Sequence, residues 1–296
     1  MITALAPYLD SENDPISREL LLRGIELKYG YDFTQYAATT MRRRIDLLIK
    51  HFHVKNPIEA LNILLQSRSA FDEAVQILTV GTTEMFRDPG FFRSLRETVV
   101  PLLRTFPSLK VWCAGCSTGE ELFSVAILLK EEGLFEKTTI FATDVNQKAL
   151  KSARDGIFST ADMKLNIRNY QLSGGTGTFH SYYNADYNLV KMDASLTKNV
   201  IFSGHNLATD GVFAEFQLIL CRNVLIYFDR ELQDRALNLL RGSLTQRGVL
   251  GLGARETLHR TGVDEDFEVV DERWRVYQRH SITSRELSRQ KRGARG

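Results

Sequence analysis

Val111-Trp-Cys-Ala-Gly-Cys-Ser-Thr-Gly-Glu-Glu-Leu122 is an apolar run that enters a glycine-containing loop and leaves it as the start of a helix. That is the layout of a nucleotide-binding turn, in which a strand delivers the chain to a loop and a helix N-terminus faces the ligand. Gly115 and Gly119 would let the backbone come close to a ligand. Asp144 closes the next apolar run, 25 residues after Gly119, placed to accept hydrogen bonds from ribose hydroxyls. Together they point to an adenosine-type cofactor. Glu120 and Glu121 fill the first helical turn, where two carboxylates repel a phosphate. The third glycine of G-x-G-x-x-G is replaced by Leu122, and no G-x-x-x-x-G-K-[ST] occurs. A dinucleotide is therefore disfavoured. A ligand with an ammonium and a sulfonium suits those carboxylates, and S-adenosylmethionine is the common adenosine cofactor of that kind. The plainer alternative is that both glutamates only complement the helix dipole.

Outward from this stretch, short apolar runs alternate with helical segments. The spacing predicts strands at Leu109 to Cys113, Thr139 to Ala142, Gln217 to Cys221 and Val249 to Leu252. It predicts helices near Glu120 to Glu131, Gln147 to Arg154 and Arg230 to Arg241. This is an α/β pattern, a parallel sheet covered on both faces. Phe267 to Arg279 alternates as an antiparallel edge pair would. Tyr170 to Ser203, with Gly174-Gly-Thr-Gly177 and runs at Phe179 to Tyr183, Tyr187 to Met192 and Val200 to Phe202, reads as a small antiparallel β insertion. Ile16 to Val80 is all-helical by its spacing, as in Met41, Ile45, Leu48, Phe52 and Phe71, Ala74, Val75, Leu78. Pro15 and Pro57 stand where a first helical turn tolerates proline. The junction falls in Gly81 to Pro89. The expected organisation is a helical domain over 1–85, an α/β domain over 86–284 with a β subdomain at about 170–203, and a tail over 285–296.

The composition, 296 residues with 43% hydrophobic and 25% charged, is that of a globular protein, and a formal net charge of +2 does not suggest a nucleic-acid binder. Charge is uneven. Between Arg285 and Gly296, Arg285, Arg289, Lys291, Arg292 and Arg295 face the single acid Glu286, and such a tail is expected to be a disordered, solvated end. Three cysteines, an odd number, argue for a reducing compartment without disulfides. The first residues lack a signal-peptide pattern and no run of about eighteen apolar residues occurs, so a cytoplasmic location is expected.

Other residue groups carry weaker signals. Cys113 and Cys116 form a C-x-x-C without a second ligand pair, so small residues filling a tight turn explain them better than a redox or zinc site, and no metal is expected. The six histidines show no metal or triad spacing and are expected to be structural or exposed. Leu218-Ile-Leu-Cys-Arg-Asn-Val-Leu-Ile-Tyr-Phe228 is a strand ending in Arg222-Asn223. In an open α/β sheet ligands sit beyond the carboxyl ends of strands, so Arg222, Asn223 and Tyr227 would face the crevice of Gly115, Glu121 and Asp144. Arg87, between aromatic residues in Thr82-Thr-Glu-Met-Phe-Arg-Asp-Pro89, needs a partner if buried. Arg42, Arg43 and Arg44 follow Met41 on a helix whose other side is apolar and form an exposed basic patch, a solvated face or a dock for an acidic helix.

In this order, T-x-x-F-R-D-P at Thr83 to Pro89, G-C-S-T-G-E-E at Gly115 to Glu121, A-T-D at Ala142 to Asp144, H-N-L at His205 to Leu207 and C-R-N-V-L-I-Y-F at Cys221 to Phe228 resemble the CheR family of chemotaxis receptor methyltransferases. Gly251-Leu-Gly-Ala-Arg-Glu-Thr-Leu258 looks like the family's late strand and turn. The resemblance implies a class I methyltransferase domain, Rossmann-like, with a small antiparallel β insertion and a preceding all-α domain. It implies S-adenosylmethionine as donor, S-adenosylhomocysteine as product, and O-methylation of glutamates on the helical cytoplasmic part of methyl-accepting chemotaxis receptors. It implies a cofactor site of Gly81, Thr83, Arg87, Glu121, Asp144, Asn206, Leu207, Arg222 and Asn223, with Arg87 and Tyr227 lining the reaction centre. Arg42, Arg43 and Arg44 would bind receptor helices. Many members carry asparagine at the position of Gly81, so a side-chain contact is lost there. Leu122-Phe123 stands where Pro-Tyr is usual, which should alter packing more than chemistry. The insertion resembles a subdomain that in some relatives grips a receptor's C-terminal pentapeptide. A nucleic-acid methyltransferase, for which the basic tail would be the footprint, and a non-catalytic receptor scaffold are the competing readings. The first lacks a strongly basic face, and Arg87, Glu121, Asp144 and Tyr227 speak against the second.

Overall fold

The computed structural model describes residues 15–79, 81 and 83–281; the basic tail lies outside them. By internal contacts the chain falls into two units, one of residues up to 80 with Tyr227–Leu232, the other of Gly81–Ile226 with the chain from Gln233 onward. The division thus comes a few residues before position 85, and a short later segment groups with the helices.

The helical unit contains α1 (Pro15–Tyr29), α2 (Ala38–His51), α3 (Pro57–Gln66) and α4 (Arg68–Leu78). The i, i+4, i+7 spacing puts Met41, Ile45 and Leu48 of α2 on one buried face, while α4 buries Phe71, Ala74, Val75 and Leu78. Pro57 opens α3 behind Asn56, whose side chain accepts the Glu59 N–H. Tyr29 stacks on Phe71 with ring centroids 3.8 Å apart. The segment after Ile226 joins this unit through its main chain. Ala37 N–H donates to Tyr227 O at 2.8 Å, Asp229 N–H donates to Gln35 O at 2.9 Å, and Tyr36 and Phe228 form an antiparallel bridge with rings edge-on at 5.0 Å.

The second unit is built on a seven-stranded sheet of order β6-β2-β1-β7-β8-β10-β9. Its strands are β1 (Leu109–Ala114), β2 (Thr138–Asp144), β6 (Val200–Gly204), β7 (Phe216–Cys221), β8 (Leu244–Leu252), β9 (Phe267–Asp271) and β10 (Val276–Arg279). The first five are parallel; β10 runs antiparallel to both β8 and β9. In β1 only Lys110 is exposed and in β7 only Gln217 is not fully buried, the apolar signature of strands covered on both faces. The helices are α5 (Pro89–Ser94), α6 (Val100–Arg104), α7 (Glu120–Glu131), α8 (Gln147–Asp155), α9 (Thr160–Leu172) and α10 (Arg230–Gly242), whose residues up to Leu232 count with the helical unit. Between α5 and α6 the helix widens into a π turn over Leu95–Val99, just before Pro101, which lacks the amide hydrogen a regular ladder needs. Strand order reverses between β1 and β7. Such a switch point leaves a crevice at the carboxyl ends of the two strands.

The insertion differs from its sequence reading. Its three strands, β3 (Ile157–Ser159), β4 (Tyr183–Asp186) and β5 (Leu189–Met192), form an antiparallel sheet of order β3-β5-β4, so it draws on a strand before α9. Val200–Phe202 is not part of it; that run is β6, the edge of the main sheet, pairing in parallel with β2 from Ile140↔Val200 to Asp144↔Gly204. Tyr170 belongs to α9, and Phe179–Tyr182 is a 3-10 turn. In the Gly174–Gly177 run, Gly174 and Gly175 N–H donate to carbonyls at the end of α9, and Gly177 is held by a remote carboxylate. Glu131, at the end of α7, accepts hydrogen bonds from the Tyr170 hydroxyl, from the Tyr182 hydroxyl at 3.1 Å and from the Gly177 N–H at 3.1 Å, and it pairs with Arg96. Burial and Glu131 push the Tyr182 phenol up to about 12.

Candidate cofactor and active site

The loop after β1 spends its amide hydrogens on the protein. Gly115 and Cys116 N–H both donate to Thr143 O, at 2.8 and 2.9 Å, Ser117 N–H donates to Asp144 Oδ2 at 2.8 Å, and Gly119 N–H donates to Cys116 O at 3.0 Å. A phosphate-binding turn aims such groups at its ligand; this loop does not. The glycines are also required by the packing of the fold. A Cβ on Gly115 (φ +72°) would sit 2.6 Å from Val224 Cγ2, and one on Gly119 (φ +101°) 2.9 Å from Ala153 Cα.

Around this loop the expected residues converge. The Arg222 side chain, only 1% exposed, donates to Glu121 Oε2 at 3.0 Å, to Asp88 Oδ2 at 2.7 Å and to Arg87 O at 3.0 Å, and lies 4.1 Å from the Phe91 ring centroid. Burial raises the Glu121 carboxyl above its ordinary value, opposed by Arg222 and more weakly by Arg87. Glu121 is therefore a partner of Arg222 as well as the acid read from the helix start, and Arg87 lies within its field. The Ser117 hydroxyl donates to Gly81 O at 3.4 Å, which brings the junction strap to the loop. The strap is tied down by Met85 N–H to Asn166 Oδ1 at 3.1 Å and Phe86 N–H to Ser124 Oγ at 2.8 Å, with Thr83 half-buried in it.

Asp144 ends β2. Its oxygens accept amide hydrogens from Ser117 and from Asn146, both at 2.8 Å, the Val145 amide adds to them, and burial raises the carboxyl against those bonds. His205 N–H donates to Asp144 O at 3.3 Å, and Asn206 turns its Oδ1 to Ala208 N–H at 2.9 Å, with Leu207 buried beside it. The His205 ring packs edge-on against Trp112, with Nε2 3.3 Å from Gly211 O. Cys113, Cys116 and Cys221 are buried and free, and burial pushes all three thiols well up. Among the described residues no group of three His, Cys, Asp or Glu could hold a metal ion.

Three features escaped the sequence. Asp88 shares Arg222 with Glu121, a role hinted at only by its place in Phe-Arg-Asp-Pro. Glu256, 4% exposed, accepts from Gly253, Asn223 and Ile226 N–H at 2.6, 3.0 and 3.3 Å; its signal was the Gly-Ala-Arg-Glu-Thr-Leu run. Phe86, Asp88, Ser117 and Asn223 hold positive φ between +50° and +60°, a conformation that costs a non-glycine residue about 1 kcal/mol or more and that gathers at functional sites.

Tyr227, Arg42, Arg43 and Arg44 belong to the helical unit. Arg42 and Arg43 are exposed, but Arg44 is half-buried, which corrects the reading of all three as one exposed patch. Burial and Arg43 pull the Arg44 guanidinium down, and Tyr227 opposes them.

The family model described as CheR methyltransferase, SAM binding domain, matches residues 81–276. The chain belongs to the CheR methyltransferase family. Among CheR relatives, a Pseudomonas putida protein named "Putative methyltransferase Cher3" is 46% identical over 267 residues, 90% of this chain and 98% of its own. A "Chemotaxis protein methyltransferase" of Listeria innocua is 30% identical over 239 residues, 80% of this chain and 88% of its own. The magnesium protoporphyrin IX methyltransferase of Synechocystis, solved with S-adenosylmethionine bound, is 16% identical with a TM-score of 0.36, over 72% of this chain and 92% of that one. This CheR chain is an S-adenosylmethionine-dependent methyltransferase of α/β architecture. The residues present fit that cofactor. Asp88, Glu121, Asp144 and Glu256 outnumber Arg87 and Arg222 in the crevice region, which favours a cationic ligand, and the loop amides are unavailable to phosphate. No helix among the described residues is long and apolar enough to cross a membrane.

Proposed function

We propose that this chain esterifies glutamate side chains on the cytoplasmic helices of methyl-accepting chemotaxis receptors, with S-adenosylhomocysteine as the other product. The observation that carries this reading is the state of the site's potential bases. The thiols of Cys113, Cys116 and Cys221 are held protonated by burial, and His205 is packed on Trp112 with Nε2 against a carbonyl. Such a site suits a nucleophile that arrives ionised, as a glutamate carboxylate does at neutral pH. The cofactor supplies a methyl carbon on a sulfonium, and transfer then needs in-line placement more than proton transfer. Relatives named chemotaxis protein methyltransferases support the receptor as acceptor.

In this reading Asp144 accepts from the ribose on lone-pair capacity not used by Ser117, Asn146 and Val145, and Glu121 takes the methionine ammonium while Arg222 fixes its orientation. Gly81, Thr83 and Arg87 reach the cofactor from the strap; Asn206, Leu207, Arg222 and Asn223 complete its pocket. Arg87 and Tyr227 orient the acceptor carboxylate. Arg42 and Arg43, with Arg44 behind them, meet acidic receptor helices, the β3-β5-β4 sheet is the place for a receptor C-terminal pentapeptide, and the reaction takes place in the cytoplasm.

The test is transfer of labelled methyl from S-adenosylmethionine to receptor cytoplasmic fragments. A methyl ester on glutamate releases its label as methanol in mild alkali. Label that survives alkali, or label on nucleic acid, would overturn the reading.

A further inference from the structure

Glu256 follows β8 by a few residues, yet it acts on the end of β7. Among the described residues its hydrogen-bond partners are main-chain N–H groups. Oε2 accepts from Gly253 at 2.6 Å and from Asn223 at 3.0 Å, and Oε1 accepts from Ile226 at 3.3 Å. The Leu225 amide adds to the same cradle. The carboxylate is 4% exposed, so these donors stand in for the water it has lost. Asn223, which it holds, keeps φ at +60° directly after Arg222, and a non-glycine residue stays in that region only when its surroundings fix it. Packing leaves no slack: a Cβ on Gly253 would lie 2.7 Å from Glu256 Oε2, 2.8 Å from Asn223 N and 2.9 Å from Asn223 Nδ2.

An ionised carboxylate is acceptor-only, which is what several converging amide hydrogens require. Glutamine in the same volume would turn a donor toward them. We propose that Glu256 is a positioning residue of the cofactor site: it fixes the Asn223–Ile226 turn in the shape that S-adenosylmethionine binding requires, acting through the turn rather than by contact. The proposal rests on the reading that Arg222 and Asn223 line the cofactor pocket.

The test uses the full chain and calorimetric titration with S-adenosylhomocysteine. Glu256→Gln and Gly253→Ala are expected to weaken binding by about tenfold or more. Leu103→Ala, which opens a cavity in α6 ahead of the amino end of β1, is expected to lower the melting temperature while leaving affinity within about twofold. Amide exchange at Asn223 and Ile226 should accelerate in Glu256→Gln while the β1 amides keep their protection. A folded Glu256→Gln chain that binds within about twofold of wild type, or an equal loss in Leu103→Ala, would overturn the positioning role. If Glu256→Gln fails to fold, Gly253→Ala decides alone, since it keeps the carboxylate and disturbs only the cradle. A wild-type chain that leaves S-adenosylhomocysteine unbound overturns the pocket itself, an outcome distinct from altered variants of a binding parent.

Discussion

Arg222 and Glu121 meet at 3.0 Å across the switch point of the sheet, one at the end of β7 and the other in the first turn of α7, with side chains 1% and 14% exposed. The pair locks two elements that are 101 residues apart in sequence, and the Arg222 guanidinium holds Asp88 as well. Removing the cation leaves the Glu121 carboxylate, which is poorly solvated, and the Asp88 carboxylate without the guanidinium they share. Arg222→Met should therefore cost about 3–5 kcal/mol and lower the melting temperature by roughly 6 °C or more. A smaller loss, on the order of 1 kcal/mol, would show that water replaces the guanidinium. Thermal melts of the variant decide.

The buried carboxyls give the site a pH signature. Glu121 and Asp144 titrate above their ordinary values in the folded chain. Between the unfolded and folded values the native state binds more protons than the unfolded one, so their contribution to stability falls as pH rises through that window and is least above it. Ionised, Asp144 accepts ribose hydroxyls and Glu121 attracts the methionine ammonium; protonated, each loses that role. The rise in melting temperature produced by saturating S-adenosylmethionine should shrink as pH is lowered from about 7 toward about 5. A ligand-induced rise that is the same at both ends would contradict the assignment of these carboxylates.

Gly119 is required by packing. Its φ of +101° and the 2.9 Å approach to Ala153 Cα leave no room for a methyl group. Gly119→Ala should lose about 1–2 kcal/mol from backbone strain alone, with more from the clash against α8, measured by urea unfolding. A change within about 0.5 kcal/mol would mean that the loop adapts.

The two exposed arginines of α2 can be tested apart from the cofactor. Replacing Arg42 and Arg43 with glutamate should slow receptor methylation by roughly tenfold at low salt, and the difference should narrow as salt rises. Affinity for S-adenosylhomocysteine should not move. Equal methylation rates at every salt concentration would remove them from receptor docking.

Much of this was legible in the chain. A short apolar run placed β1, and 3.6-residue periodicity placed α7 and α8, close to their observed ends, because each buries apolar residues that its own sequence displays. The acids at Glu121 and Asp144 were visible because they stand at the ends of such elements. What stayed hidden depends on partners far along the chain. Val200–Phe202 looks the same as an insertion strand or as an edge strand, and only its parallel pairing with β2 makes it β6. Gly177, at the end of the Gly174–Gly177 run, is held by Glu131, more than 40 residues away. Asp88 and Glu256 carry no periodic signal, since each acts through one arginine or one turn at another strand's end. Gly115 and Gly119 show the same limit. Sequence shows that a side chain is missing but not what fills the space.

The most direct measurement is calorimetric titration of S-adenosylhomocysteine into the full chain and into Asp144→Asn. One site of micromolar affinity, about −8 kcal/mol, that weakens by about tenfold or more in the variant is the predicted result. Absence of binding, or an affinity indifferent to the charge at position 144, would contradict a cofactor pocket at the ends of β1, β2 and β7.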